Sequence, residues 1–271
     1  MGEREVRFAH SAGRGSFQFC ATLTPVRSIW TSDHDFTVEG TAYRSMVDRT
    51  RPDQMVVLKD RRQVEFYEAL FATTAPRTIL ELGIYNGGSV ALFSQLATPE
   101  KLVALDRRGG CPPLEAFLDE RDLRGSVVAY YGVDQADAAA LDRIMESEFT
   151  GPVDLIVDDA SHLGDLTRAS FNRLFPRVRP GGLYVIEDWS WPHRPPARDM
   201  PVEDVPISAF VAELVLLAAG RPQMIADIRI DEYAVTLTRG DADLRPERFA
   251  VSTNLDPLAR RLVGRMARVS A

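Results

Sequence analysis

Residues 79–93, ILELGIYNGGSVALF, decide the fold. An apolar run reaches Glu81, a turn follows with Gly83, Gly87 and Gly88, and a helical stretch begins near residue 87. Glycines let a backbone approach a ligand closely, and the first turn of a helix presents unpaired N–H groups. The G-x-G-x-x-G fingerprint of dinucleotide-binding turns is absent, because Ile84 and Tyr85 follow Gly83 and the next glycine is Gly87. A turn that only joins strand to helix uses the same glycines, so the stretch takes its meaning from its surroundings.

Outward from this unit, short continuous apolar runs alternate with helical stretches. RTILEL (77–82), KLVALD (101–106), SVVAYY (126–131), VDLIVDD (153–159) and LYVIED (183–188) have the unbroken character of strands buried on both faces of a parallel sheet. Helices near 87–97, 112–121, 136–148 and 164–178 fall between them, which makes right-handed βαβ units. Upstream, Val64, Tyr67, Leu70 and Phe71 recur at helical spacing until Pro76. Downstream, an apolar helix near 206–219 precedes MIADIRI and YAVTLTR, two strands separated only by Asp231 and Glu232, which form an antiparallel hairpin. The expected fold is α/β: a Rossmann-like, doubly wound, mostly parallel seven-stranded sheet ending in that hairpin. Residues 61–240 form this domain. Residues 1–60, with scattered aromatics such as Phe17, Phe19, Trp30, Phe36 and Tyr43, are an arm or cap without sustained period, and 241–271 are a tail with a solvated basic helix.

The 271 residues are 45% hydrophobic and 26% charged, enough for a sizeable core. A net charge of −7 repels phosphate backbones, so no nucleic-acid partner is expected. Two cysteines, Cys20 and Cys111, make neither a disulfide framework nor a zinc cluster, and read as inert thiols in a reducing cytoplasm. The first residues lack an apolar leader region and no stretch approaches the roughly 18 apolar residues of a membrane span, so neither secretion nor a membrane is expected.

Asp106 closes the strand after the glycine turn. An acid at the tip of the second strand can accept hydrogen bonds from both ribose hydroxyls of a nucleoside lying across the sheet; alone, it is more often a strand-end or capping residue. With the E-x-G-x-x-x-G-G-S turn and the terminal hairpin, it resembles the class I S-adenosylmethionine-dependent methyltransferases. The resemblance implies that Gly83 holds the methionine part of the cofactor and Asp106 its ribose, with Asp134 and Gln135 of YYGVDQAD near the adenine. Glu81, Tyr85, Asn86, Gly87, Ser89, Arg107 and Asp158 complete the expected cofactor-binding set. Asp134 and Gln135 also read as an ordinary polar turn, and Asp158 as a residue that caps or orients its loop.

DLIVDDASH (154–162) and YVIEDW (184–189) carry a third signal. Adjacent strand ends of a doubly wound sheet converge on one crevice, which brings Asp159, Glu187, Asp188 and His162 together. Uncompensated carboxylates repel and stay partly protonated; a hard divalent cation resolves that conflict, and oxygen donors suit Mg²⁺. Over residues 77–190 the D-D-x-S-H and I-E-D motifs resemble a narrower branch, the metal-dependent sugar O-methyltransferases of macrolide and enediyne antibiotic biosynthesis, of the mycinamicin and calicheamicin type. That resemblance implies Asp159, Glu187 and Asp188 as Mg²⁺ ligands and His162 as general base, Asp159 and His162 forming the catalytic pair. A histidine after a strand is more often a hydrogen-bonded structural residue; its place three residues past Asp159 favours the base. Trp189, Trp191 and His193 offer ring faces to an acceptor or pack onto the core, and His10 and His34 have no role in view.

The implied activity is Mg²⁺-assisted O-methylation of a sugar hydroxyl on a glycosylated small molecule by a cytoplasmic homo-oligomer. Two alternatives stay open. One is a catechol-type phenolic methyltransferase, whose usual strand ending is Asp-Asn rather than Glu187-Asp188. The other is a cofactor-binding protein without catalysis or a nicotinamide oxidoreductase, against which the missing fingerprint weighs.

Overall fold

The computed structural model describes residues 26–46, 53–194 and 205–269. His10, Phe17, Phe19 and Cys20 of the expected arm lie outside the described residues, as do residues 195–204 of the Pro-rich loop. The rest of the arm has a fold of its own. Strands β1 (Ile29–Trp30), β2 (Asp35–Val38), β3 (Thr41–Ser45) and β4 (Met55–Val57) form a small sheet in that order, with β4 parallel to β3. Its apolar side turns Phe36, Val38, Tyr43, Met55 and Val57 into the core of the main domain, so it is a cap with a sequence period too short to read.

Helix α1 (Arg61–Thr74) starts on a reciprocal cap: the Asp60 carboxylate accepts from Gln63 N at 2.9 Å, and the Gln63 side chain accepts from Asp60 N at 2.9 Å. The expected βαβ series follows as β5 (Thr78–Leu82), α2 (Gly88–Ala97), β6 (Lys101–Asp106), α3 (Pro112–Glu120), β7 (Val127–Tyr131), α4 (Ala138–Glu148), β8 (Val153–Asp158), α5 (Gly164–Leu174) and β9 (Val178–Glu187). After α6 (Ile207–Gly220), β10 (Ile225–Ile230) and β11 (Ala234–Arg239) make the antiparallel hairpin, and β11 pairs antiparallel with β9. The seven-stranded order is β10-β11-β9-β8-β5-β6-β7. The chain runs from β5 outward through β6 and β7, then crosses back to β8 on the other side. That reversal between β5 and β8 opens a crevice at the carboxyl ends of the strands.

Strand alternation sorts the acids onto opposite faces. Leu80 and Leu82 belong to the core under α4, α5 and α6, whereas Ile79, Val157 and Val185 belong to the core shared with α1, α2 and the small sheet. With a side-chain period of two, Glu81 and Glu187 fall on the α1/α2 face, and Asp158 falls with Ile156 on the α5 face. Two glycines fix how the pieces meet. A Cβ at Gly88 would overlap the Val56 carbonyl, so this glycine admits β4 against the start of α2. At Gly83, φ is +102° and a Cβ would overlap the Asp159 carbonyl oxygen, so the fold itself demands glycine there.

Residues 241–271 are more than a tail. Helices α7 (Val251–Asn254) and α8 (Pro257–Val269) follow the hairpin, and Phe249, Val251, Leu255 and Ala259 are buried in the core beneath α6. The apolar residues between the charged ones dock this segment; the basic helix seen in the sequence is α8. Among the described residues, no helix is long and apolar enough to cross a membrane.

Candidate active site

A cavity of about 350 Å³ opens over the glycine turn, lined by Gly83, Tyr85, Asp106, Arg107, Asp134, Gln135 and Asp159, among others. Asp106 stands at the tip of β6. Its Oδ2 accepts from Ile84 N at 3.0 Å and Tyr85 N at 2.9 Å, and its Oδ1 from Arg108 N at 2.8 Å. Burial works against its charge, but the amides of Arg108, Tyr85 and Ile84 outweigh it and hold the carboxyl below its ordinary value. The Arg108 guanidinium covers the Tyr85 ring at 4.7 Å. Asp134 accepts from Ala136 N at 2.8 Å and so tightens its own turn.

Asp158 does not line this cavity. It accepts from Ser170 Oγ at 2.7 Å, Tyr184 OH at 3.0 Å and Gln135 Nε2 at 3.3 Å, while Gln135 Oε1 accepts from Ser161 N at 3.1 Å. Burial pushes its pKa up to about 6 against those hydrogen bonds. Asp158 thus has the loop-orienting place, and Gln135 links it to the loop that carries His162.

A second cavity of about 260 Å³ shares Gly83, Tyr85 and Asp159 with the first and adds Leu58, Lys59, Asn86, Ser89, His162 and Asp188. His162 Nε2 lies 4.0 Å from Asp159 Oδ1 and 3.8 Å from Asp188 Oδ2. One ligand atom from each of the three lies within 4.8 Å of the others. Burial, joined by the charge of Asp159, raises the Asp188 pKa. Tyr85, His162 and Asp188 all have positive φ, at 46°, 56° and 51°. Such strain costs about 1–3 kcal/mol per residue and gathers at functional sites. Of the ring-bearing candidates, Trp191 packs near His162, the two ring centroids 6.5 Å apart. Trp189 packs on the core and donates to Asp231 O at 2.8 Å, and His193 is bonded to Ser208 Oγ at 2.7 Å.

Glu187 lies behind the cavity rather than on its wall. Lys59, which the sequence did not single out, sends its Nζ to Glu187 Oε1 at 2.7 Å, Glu187 Oε2 at 2.6 Å and Asp159 Oδ2 at 2.8 Å. The Tyr67 hydroxyl donates to Glu187 Oε1 as well. Burial opposes the lysine's charge, but Asp159, Glu187 and Glu81 outweigh it and raise its pKa, so Lys59 is an ammonium. Burial, with the charge of Asp159, also raises the Glu187 pKa against the pull of Lys59. Glu81 is sealed from solvent, and burial pushes its pKa up to about 8, only partly offset by the charge of Lys59 and a hydrogen bond with Ser89. A larger cavity of about 470 Å³ between the small sheet and α3 shares no lining residue with these two.

The comparisons with known proteins point to the same strand ends. A family model described as a methyltransferase domain matches residues 80–189. The mycinamicin VI 2''-O-methyltransferase of Micromonospora griseorubida is 38% identical over 124 residues, 42% of this chain and 28% of that protein. The 8-demethyl-8-alpha-L-rhamnosyl tetracenomycin-C 2'-O-methyltransferase of Streptomyces olivaceus is 30% identical over 138 residues, 46% of this chain and 33% of that protein. Among solved structures, a MycE methyltransferase from the mycinamycin biosynthetic pathway, in complex with Mg and SAH, aligns with a TM-score of 0.51 at 25% identity, over 65% of this chain and 48% of that one. The aligned stretches span about a third or less of these curated relatives.

Proposed function

We propose, from the premise that residues 80–189 form a methyltransferase domain, that this protein binds S-adenosylmethionine and methylates a sugar hydroxyl of a glycosylated natural product with the help of Mg²⁺. One observation carries the reading: two cavities join at Gly83, Tyr85 and Asp159, one with an ionised acid at a strand tip and the other with a histidine beside two carboxylates. In the first, Asp106 accepts from the ribose hydroxyls, with Asp134 and Gln135 toward the adenine. S-Adenosylmethionine supplies an electrophilic methyl group and its own leaving group, so the protein must chiefly align the acceptor oxygen and remove its proton.

His162 Nε2 takes that proton, and Asp159 and Asp188, both within 4.0 Å, stabilise the imidazolium formed. The donor set fits a hard cation. Asp159 and Asp188 face the cavity, and the carboxyls of Asp159, Glu187 and Asp188 outnumber the one ammonium, Lys59, set among them. Mg²⁺ commonly takes one or two carboxylates, with water and substrate oxygens completing its shell. When bound, it would supply the positive charge that makes a sugar hydroxyl acidic enough to ionise. Glu187, the third ligand implied by the resemblance, is held by Lys59 instead.

Leu58, Tyr85 and Leu163 are all more than a third exposed and line the joined cavities, with the half-exposed Trp191 ring near His162, which suits an acceptor with an apolar body beside its sugar. The two curated relatives are named as O-methyltransferases of mycinamicin VI and of an alpha-L-rhamnosyl tetracenomycin. Calorimetric titration with S-adenosylmethionine and with NAD tests the cofactor; a panel of deoxysugar glycosides against simple catechols tests the acceptor. Binding of S-adenosylmethionine and methylated glycosides are expected. NAD binding in its place, or methylation of catechols alone, would replace this reading with one of its alternatives.

A further inference from the structure

The ammonium of Lys59 is built in. All three of its N–H bonds have carboxylate oxygens to meet, two on Glu187 and one on Asp159, at 2.6–2.8 Å. Its backbone is fixed from both sides: Ser45 Oγ donates to Lys59 O at 2.8 Å, and the reciprocal cap of α1 begins at the next residue, Asp60. The Tyr67 hydroxyl adds a second donor to Glu187. The Tyr67 and Phe93 rings lie 5.6 and 5.9 Å from Nζ, so the charge sits among aromatic faces and is closed off from water. Lys59 is one of two lysines among the 32 basic residues of the chain.

Both oxygens of Glu187 are therefore committed, and its side chain is nearly sealed, whereas Asp159 and Asp188 line the open cavity. A divalent ion that also used Glu187 would have to share those oxygens with a resident positive charge. We propose that Lys59 is a positioning residue, a tethered cation that keeps Glu187 out of the divalent-ion site and leaves Asp159 and Asp188 as the protein carboxylates of that site. The proposal rests on the metal-assisted reading above. Its consequence is a site that holds the ion loosely on its own and completes the shell with acceptor oxygens.

The test is the affinity for Mn²⁺, followed by the electron paramagnetic resonance of the free ion, for the wild type, Lys59→Met, Glu187→Gln and the double variant, with circular dichroism to verify the fold. Lys59→Met is expected to bind Mn²⁺ at least tenfold more tightly than the wild type, because Glu187 and an oxygen of Asp159 are released. In the Glu187→Gln background the same change is expected to gain less than threefold. Lys59→Gln, which keeps donors without the charge, gives the same readout if the methionine variant is poorly soluble. Mn²⁺ affinity that is unchanged or weakened in both Lys59 variants overturns the proposal while leaving the metal reading intact. An equal gain with and without Glu187 overturns it too, since only distant charge would then be at work. No Mn²⁺ binding by any variant overturns the metal reading and the proposal together.

Discussion

Lys59 Nζ lies 2.6 Å from Glu187 Oε2, with both side chains at most 3% exposed. Breaking a buried pair from one side leaves an uncompensated charge and costs about 3–5 kcal/mol. Lys59→Met is expected to lose that much unfolding free energy at pH 7 without metal, measured by urea denaturation. A domain of this kind has roughly 5–15 kcal/mol in hand, so the variant still folds. A loss below about 1 kcal/mol would show that the carboxylates simply take up protons at no cost.

Glu81 supplies a dependence on pH. Its folded pKa of about 8 lies above its ordinary value of 4.5, so the folded state holds a proton that the unfolded chain releases. The stability this confers is full below about pH 4.5 and is lost as pH rises toward 8. Glu81→Gln removes the titration. Between pH 5 and 8 the wild type is expected to lose more unfolding free energy than the glutamine variant; parallel curves would mean that Glu81 is ionised throughout.

The crevice was legible because its walls are strand ends. Unbroken apolar runs ending in Glu81, Asp106, Asp159 and Glu187 announce buried parallel strands, and a doubly wound sheet brings such ends together whatever the details of side-chain contact. Lys59 was not legible. Strands β1 to β4 have two to five residues each, too few to show a period, and a lone lysine in the short link between β4 and α1 reads as solvated. One signal was present: MVVLKD, an apolar run ending in lysine immediately before an Asp60-x-x-Gln63 cap. The destination of Glu187 could also have been sharpened, because alternation already places it with Glu81 and away from Asp158.

Asp106 ties the glycine turn together, and in the proposed function it has a second job, offering the cofactor an ionised acceptor. Asp106→Ala is expected to weaken S-adenosylmethionine binding by about 1–3 kcal/mol in calorimetry, the cost of unpaired ribose hydroxyls. Because Ile84 N and Tyr85 N lose their acceptor as well, a fall in melting temperature should accompany it. A lower melting temperature with unchanged affinity would leave Asp106 only its structural job.

The proposed function gives the proton transfer to His162. His162→Ala should keep the affinity for S-adenosylmethionine, because the first cavity does not include it, and lose roughly 10²- to 10⁴-fold in single-turnover rate. A fully active variant would hand proton removal to Asp159, Asp188 or water.

The most direct measurement is methyl transfer from labelled S-adenosylmethionine to a deoxysugar glycoside, run in EDTA and again after excess Mg²⁺ is added. The predicted result is loss of product in EDTA, recovery with Mg²⁺, and cofactor affinity little changed between the two, since Asp106 lines only the first cavity and Asp188 only the second. Full turnover in EDTA would contradict the metal's part, and no binding of S-adenosylmethionine under either condition would contradict the assignment as a whole.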